Sequence, residues 1–142
     1  MIAVHDTRTP LSPRPGDLDS LGHVNNAVVL EYLEAGRWGW MDENHLARID
    51  AIVPVVSRIE IDYRRELRCE PLVVETTLLE PEDLDDDLSY RAVFHQRVCV
   101  VRDGETIVAA EARVQVAFLD ARSRGLAPVH EFLAAAAQGA AS

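Results

Sequence analysis

The chain contains no lysine; all 14 of its basic residues are arginine. That absence excludes Schiff-base chemistry and a phosphate-loop lysine, because both need an amine. Cysteine is scarce too. Cys69 and Cys99 lack CxxC spacing, so reduced thiols with structural roles are expected rather than a disulfide. No apolar run approaches the roughly 20 residues of a membrane span, so no membrane partner is expected. Residues 1–10 show no basic segment followed by an apolar stretch, which makes a cytoplasmic location the default. Positive charge is in deficit, 14 basic against 24 acidic residues, for a net −10. Such a chain repels phosphate backbones at long range, so nucleic acid is not an expected partner, although a local arginine patch suits a small anionic ligand. GxSxG, GxGxxG and HExxH are all missing, and the five histidines (His5, His23, His45, His95, His130) are scattered. No cofactor and no metal site is expected. "DLDSLG" superficially opens like a calcium loop. Leu21 and Val28 stand where that loop needs an oxygen ligand and a bidentate glutamate, and the reading fails.

What is present fits one domain. A chain of 142 residues, 48% apolar and 27% charged, buries roughly two thirds of its unfolded surface, enough for one core. Pro10, Pro13 and Pro15 make the first 24 residues extended or irregular. From about Asn25 to Leu46 the pattern is helical: Asn25 or Asn26 can cap it, and Val29, Leu33 and Trp40 share one flank while Glu31, Glu34 and Asp42 gather on another. Gly36 and Gly39, with Val28, Tyr32 and Ala35, form a small-residue face that lets a sheet approach closely. Four strand-like segments follow, at about 55–63, 72–78, 90–100 and 108–118, each alternating an apolar with a polar face. The polar face of the third carries Arg91, His95, Arg97 and Cys99. Asp103-Gly104 marks a hairpin between the last two, residues 80–87 read as a solvated acidic turn, and a short helix is expected from Val129 to about Ala137. The fold class is α+β: one long helix against an antiparallel sheet of about five strands. One helix cannot cover such a sheet, and its open edge invites pairing with a second copy.

One segment carries coherent chemistry. In "GDLDSLGHVNNAVVLEYLE" (residues 16–34), Asp19 stands six or seven residues before Asn25 and Asn26, where the first N–H groups of the helix lack intrahelical partners. Gly22 allows a tight turn between the two. A helix N-terminus stabilises negative charge, as an acyl-transfer oxyanion requires, and a carboxylate beside it can act as nucleophile or as general base for water. Capping alone would also place Asp and Asn there.

The string "DLDSLGHVNNAVVLEYLEAGR" (17–37) resembles the hallmark segment of the hotdog-fold acyl-CoA thioesterases related to 4-hydroxybenzoyl-CoA thioesterase: DxDxxGHVNN, then an apolar helix with a glutamate and a following arginine, here Glu34 and Arg37. "IEIDYRREL" (59–67) extends the likeness loosely. The resemblance implies a hotdog fold in which the helix is wrapped by the sheet, and hydrolysis of an acyl thioester carried by coenzyme A or an acyl carrier protein. It makes Asp19 the catalytic carboxylate and the Asn26 N–H the oxyanion donor. Asp17 would support them, and Gly22, His23 and Asn25 would shape the thioester pocket. It further implies a homodimer or dimer of dimers whose active site lies at the subunit interface, with residues around Val56 to Ile59, Ser57 among them, lining the partner's acyl pocket. Arg64, Arg65 and Arg68 are candidates for the coenzyme's phosphates. Pro13 and Pro15 depart from the family's straight first strand, which is therefore expected to be short, displaced or on an edge. Two alternatives stay open: a hotdog hydratase using Asp19 and His23, and a domain that binds acyl thioesters without cleaving them.

Overall fold

The computed structural model describes residues 4–46, 52–79 and 90–134. Five strands, β1 (Thr7–Leu11), β2 (Ile52–Tyr63), β3 (Leu72–Leu79), β4 (Arg91–Arg102) and β5 (Glu105–Asp120), form one antiparallel sheet in the order β1-β3-β4-β5-β2. An 18-residue helix, α1 (Asn26–Glu43), lies against one face of it. The helix is shorter than the 25–46 span expected, for a local reason. His45 adopts a left-handed φ of 61°, its N–H bonds the Asp42 carbonyl, and the Leu46 N–H returns to the Met41 carbonyl. This is a Schellman closure, which satisfies the last carbonyls and stops propagation.

The buried side of α1 is the one its periodicity dictates: Val29, Leu33 and Trp40 are enclosed, and Trp40 meets Phe94 of β4 edge-to-face. Gly36 and Gly39 supply the close approach. A Cβ on Gly36 would stand 2.5 Å from Val74 Cγ1 and 3.0 Å from Gln96 Nε2, and one on Gly39 would strike Thr9. These contacts draw the helix over β1, β3 and β4. Toward the other edge the inward residues of β5 are still buried, and β2 is the strand left partly exposed.

β1 is short and lies on an edge, with Pro10 inside it and Pro13 and Pro15 beyond its end. β2 forms the opposite edge, carries Pro54, and is bulged against β5 between Val56 and Arg58. The hairpin at Asp103-Gly104 is present, both residues having positive φ, and it aligns Arg102 with Glu105. Two features depart from simple alternation. The register shifts between Val98 and Cys99 because β5 carries an extra residue, Ala109; Cys99 keeps to the expected face, its Sγ 3.6 Å from Glu75 Oε1, yet is buried there, and Gln96 sits fully buried between Phe94 and Val98. Residues 129–134 are helical, with Phe132 stacked on Phe118; the expected end of that helix near Ala137 and the acidic turn at 80–87 lie outside the described residues. Among the described residues, no helix is long and apolar enough to cross a membrane.

Candidate active site

Asp17 and Asp19 enter the site from a 3-10 turn at Pro15–Asp17 that leads into a tight loop. The loop closes on itself: Leu18 and Val24 form an antiparallel bridge, the Asp19 N–H bonds the His23 carbonyl at 2.7 Å, and the Gly22 N–H bonds the Asp19 carbonyl at 3.1 Å. Gly22 takes φ +79°, a conformation that favours glycine. The Asp19 side chain is exposed. Its Oδ1 accepts the N–H groups of Leu21 (2.9 Å) and His23 (3.1 Å), which leaves Oδ2 without a partner among the described residues.

Asp17 behaves differently. It is buried, its Oδ2 accepts the Arg14 N–H at 3.0 Å and the Tyr32 hydroxyl at 2.7 Å, and its carbonyl accepts the Asn25 N–H. The Arg14 N–H, followed by the Tyr32 hydroxyl, holds its carboxyl below the usual carboxylate range. Burial, then the bond to Asp17, pushes the Tyr32 phenol above its ordinary value. Asp17 therefore ties the loop to the second turn of the helix.

The first turn of α1 has four N–H groups to satisfy. Asn25, as N-cap, takes three: its Oδ1 accepts Ala27, and its carbonyl accepts Val28 and Val29. The Asn26 N–H has no partner among the described residues. Because the carbonyl of the Asn25–Asn26 peptide already accepts two N–H groups, that peptide is polarised in the direction that strengthens its own N–H as a donor.

A cavity of about 110 Å³ opens at this point, lined by Asp19, His23, Val24, Asn26, Val29, Tyr63, Arg65, Glu66, Leu67, Ala109 and Ala110. The fold thus brings together Asp19, His23, Asn26 and Arg65 from separate parts of the chain. Asp17, Gly22 and Asn25 shape the loop and cap without lining the cavity. Ser57 and Arg64 also lie off it: the Ser57 hydroxyl donates to the Gln115 carbonyl at the β2 bulge, and Arg64 pairs with Glu111 at 2.5 Å. Arg68 is held by Glu66 at 2.8 Å. Tyr63 is a cavity residue that sequence reasoning passed over. Its hydroxyl donates to the Asn26 carbonyl at 2.8 Å; the available signal was a tyrosine ending an inward-facing strand series, where a phenol needs a partner.

Sheet order, the helix α1 packed on the sheet and the loop preceding it are those of the hotdog fold, and solved structures of that kind match nearly the whole chain. The YbaW probable thioesterase from Escherichia coli is 24% identical with a TM-score of 0.69, covering 93% of this chain and 96% of that one. A 1,4-dihydroxy-2-naphthoyl-CoA thioesterase from Synechocystis is 14% identical with a TM-score of 0.74, over 93% and 95%. A DHNA-CoA thioesterase from Staphylococcus aureus is 12% identical with a TM-score of 0.72, over 96% and 89%. No curated protein sequence matches this chain. The chain belongs to the thioesterase-like superfamily, whose family model matches residues 13–137. Its class is thioester hydrolase.

Proposed function

We propose that the 110 Å³ cavity receives the thioester group of an acyl-CoA and hydrolyses it to a free acid and a thiol. The observation that carries this reading is the meeting, on one cavity, of the free N–H of Asn26 and the carboxylate of Asp19. The thioester oxygen accepts the Asn26 N–H, which with the helix dipole stabilises the oxyanion as the carbonyl carbon becomes tetrahedral. One such donor is worth roughly 10²–10³ in rate. Asp19, its Oδ1 steadied by two N–H groups, uses Oδ2 either to take a proton from an attacking water or to attack the carbon itself. In the first route hydroxide adds, the C–S bond breaks, and the departing thiolate takes up a proton. In the second an acyl-aspartate anhydride forms and water cleaves it, with the same net products.

The carrier favoured is coenzyme A, because an acidic carrier protein would meet a chain of net charge −10 unfavourably. Arg65 is the one of the three candidate arginines without an acidic partner among the described residues, and it lines the cavity. It is assigned to a phosphate of the coenzyme. β2 presents an open edge with Val53, Val55 and Val56 exposed, and pairing of two copies along it would place Ser57 at the junction and cover the exposed strand. The working unit is then a homodimer.

A thiol-reactive dye assayed over a panel of acyl-CoA and acyl carrier protein thioesters tests the reading. Thiol release from coenzyme A substrates is expected. Conversion of an enoyl thioester to a hydroxyacyl thioester without thiol release would assign Asp19 and His23 to hydration instead, and saturable binding with neither product would make the domain a non-catalytic receptor.

A further inference from the structure

A second cavity of about 190 Å³ lies between α1 and the β2–β5 pair, lined by Glu34, Arg37, Trp38 and Met41 of α1, Pro54 and Val56 of β2, and Val116 of β5. Its centre of charge is Arg37, which is only 7% exposed. That guanidinium makes one hydrogen bond among the described residues, from Nη1 to Oε1 of Gln96 at 3.0 Å. The partner is a neutral amide. Gln96 is itself fully buried and has its orientation fixed, since its Nε2 donates to the Leu33 carbonyl and to Thr76 Oγ1. Arginine has five N–H donors, so four remain, and among the described residues no carboxylate lies within ion-pair distance. Glu34, one turn earlier and exposed, acts on it only at longer range; burial lowers the basicity of Arg37 and Glu34 partly restores it. A buried cation without a counter-ion is costly, and an arginine fork is shaped to accept a carboxylate through two parallel bonds.

Position relates this charge to the reacting centre. Asn26 and Arg37 are eleven residues apart, three helical turns, so they share a face of α1 and stand about 16 Å apart along its axis. Tyr63 and Ala110 belong to the first cavity, Val56 and Val116 to the second. Between them run Ile61 and Ile59 on β2 and Ala112 and Val114 on β5, paired across the ladder, with Leu30 exposed on the helix side. From the first cavity to the second the residues run polar, apolar, cationic.

We infer that Arg37 is an anion-binding site for the far end of the acyl group, so that the protein prefers acyl thioesters whose chain ends in a second carboxylate. The inference deepens the thioesterase reading and rests on it for the orientation of the chain. An extended linker on the order of ten bonds spans the distance between the two cavities once the arginine side chain has leaned back toward the helix N-terminus. The 190 Å³ volume holds a carboxylate and several methylenes, being several times the roughly 30 Å³ share of one water.

The test uses mono-CoA thioesters of α,ω-dicarboxylic acids of six to twelve carbons against fatty acyl-CoAs of equal length, alongside calorimetric binding of the free suberate and octanoate anions. The expected result is a kcat/KM ratio of at least tenfold in favour of the diacid thioester, and suberate binding that octanoate does not match. In Arg37→Gln the ratio falls to about one; a purely structural effect would lower both substrates together and leave the ratio standing. Glu34→Gln, an exposed substitution that removes the competing carboxylate, raises the ratio at least twofold and serves if Arg37→Gln does not fold. Hydrolysis of both substrate classes with a ratio near one, and no preference for suberate, overturns this inference while the thioesterase reading stands. Suberate binding lost in Arg37→Gln, with no thioester of any kind hydrolysed, supports the anion site and contradicts the thioesterase reading.

Discussion

The carboxylates of Asp17 and Asp19 are chemically identical and two residues apart, and their surroundings separate their roles. Asp17 is buried against the Tyr32 hydroxyl and the Arg14 N–H, whereas Asp19 is exposed with one oxygen unpartnered among the described residues. A carboxyl held low in the folded state binds fewer protons there than in the unfolded chain. Asp17 thus stabilises the fold fully above the ordinary carboxylate range, and that stability is lost as pH falls through its depressed folded value. Tyr32→Phe removes the second of the two interactions that depress it and costs about 1–2 kcal/mol at neutral pH. Thermal melts from neutral pH down to well below the ordinary carboxylate value of about 3.9 are expected to show a lower melting temperature for this variant and a shallower acid loss than wild type. An acid profile parallel to wild type would remove Asp17 from that role. Arg65 makes a kinetic prediction. Arg65→Ala is expected to raise KM for coenzyme A thioesters by roughly tenfold, the worth of one charge-assisted contact, with kcat nearly kept and with the salt dependence of KM reduced. An unchanged KM would free the cavity from any phosphate contact at that residue.

At the scale of elements, periodicity carried most of the fold, and the exceptions have local causes. The buried flank of α1 could be read because Val29, Leu33 and Trp40 recur on one side. Its end could not, because the residue that turns left-handed there is His45 and not a glycine. Alternation located β2 to β5, but a period-two pattern cannot register a bulge such as the one that inserts Ala109 of β5 opposite Val98 and Cys99. Gln96 was missed for a related reason: a polar residue on an apolar face is explained only by partners on other elements, here Arg37, Thr76 and the Leu33 carbonyl. The close seat of α1 on the sheet gives a direct prediction. Gly36→Ala gains about 1 kcal/mol in helix propensity but drives a methyl against Val74, and overpacking of that kind costs typically 1–3 kcal/mol. The clash is under 3 Å and meets a packed β-branched side chain, so a net loss is expected in urea unfolding. A more stable variant would mean that the helix does not sit where it is described.

Over the whole molecule, the decisive asymmetry is the placement of the helix toward β1 and β3, which leaves β2 partly exposed and two cavities bordered by β5 and β2. The sequence made Asp19, Asn26 and His23 legible as one group because they lie within a single loop and cap. It could not place Arg65 or Tyr63 beside them, since that proximity depends on β2 ending where the Val24 N–H meets the Leu67 carbonyl. Nor could it separate Arg65 from Arg64 and Arg68, which differ only in having acidic neighbours. If the site is completed by a second copy, Val55→Arg on the exposed edge of β2 should shift sedimentation from dimer to monomer and lower turnover at least tenfold while the circular dichroism is retained. A monomeric wild type with full activity would place the whole site within one chain. The central claim is that the Asp19 carboxylate and the free Asn26 N–H together hydrolyse a thioester, and the most direct measurement is thiol release by Asp19→Asn on the best substrate of the acyl-CoA panel. Loss of a base or nucleophile of this kind is expected to lower kcat by roughly 10²–10⁴, with the melting temperature close to wild type because the side chain is exposed. Turnover within a few-fold of wild type in a folded Asp19→Asn protein would contradict the account.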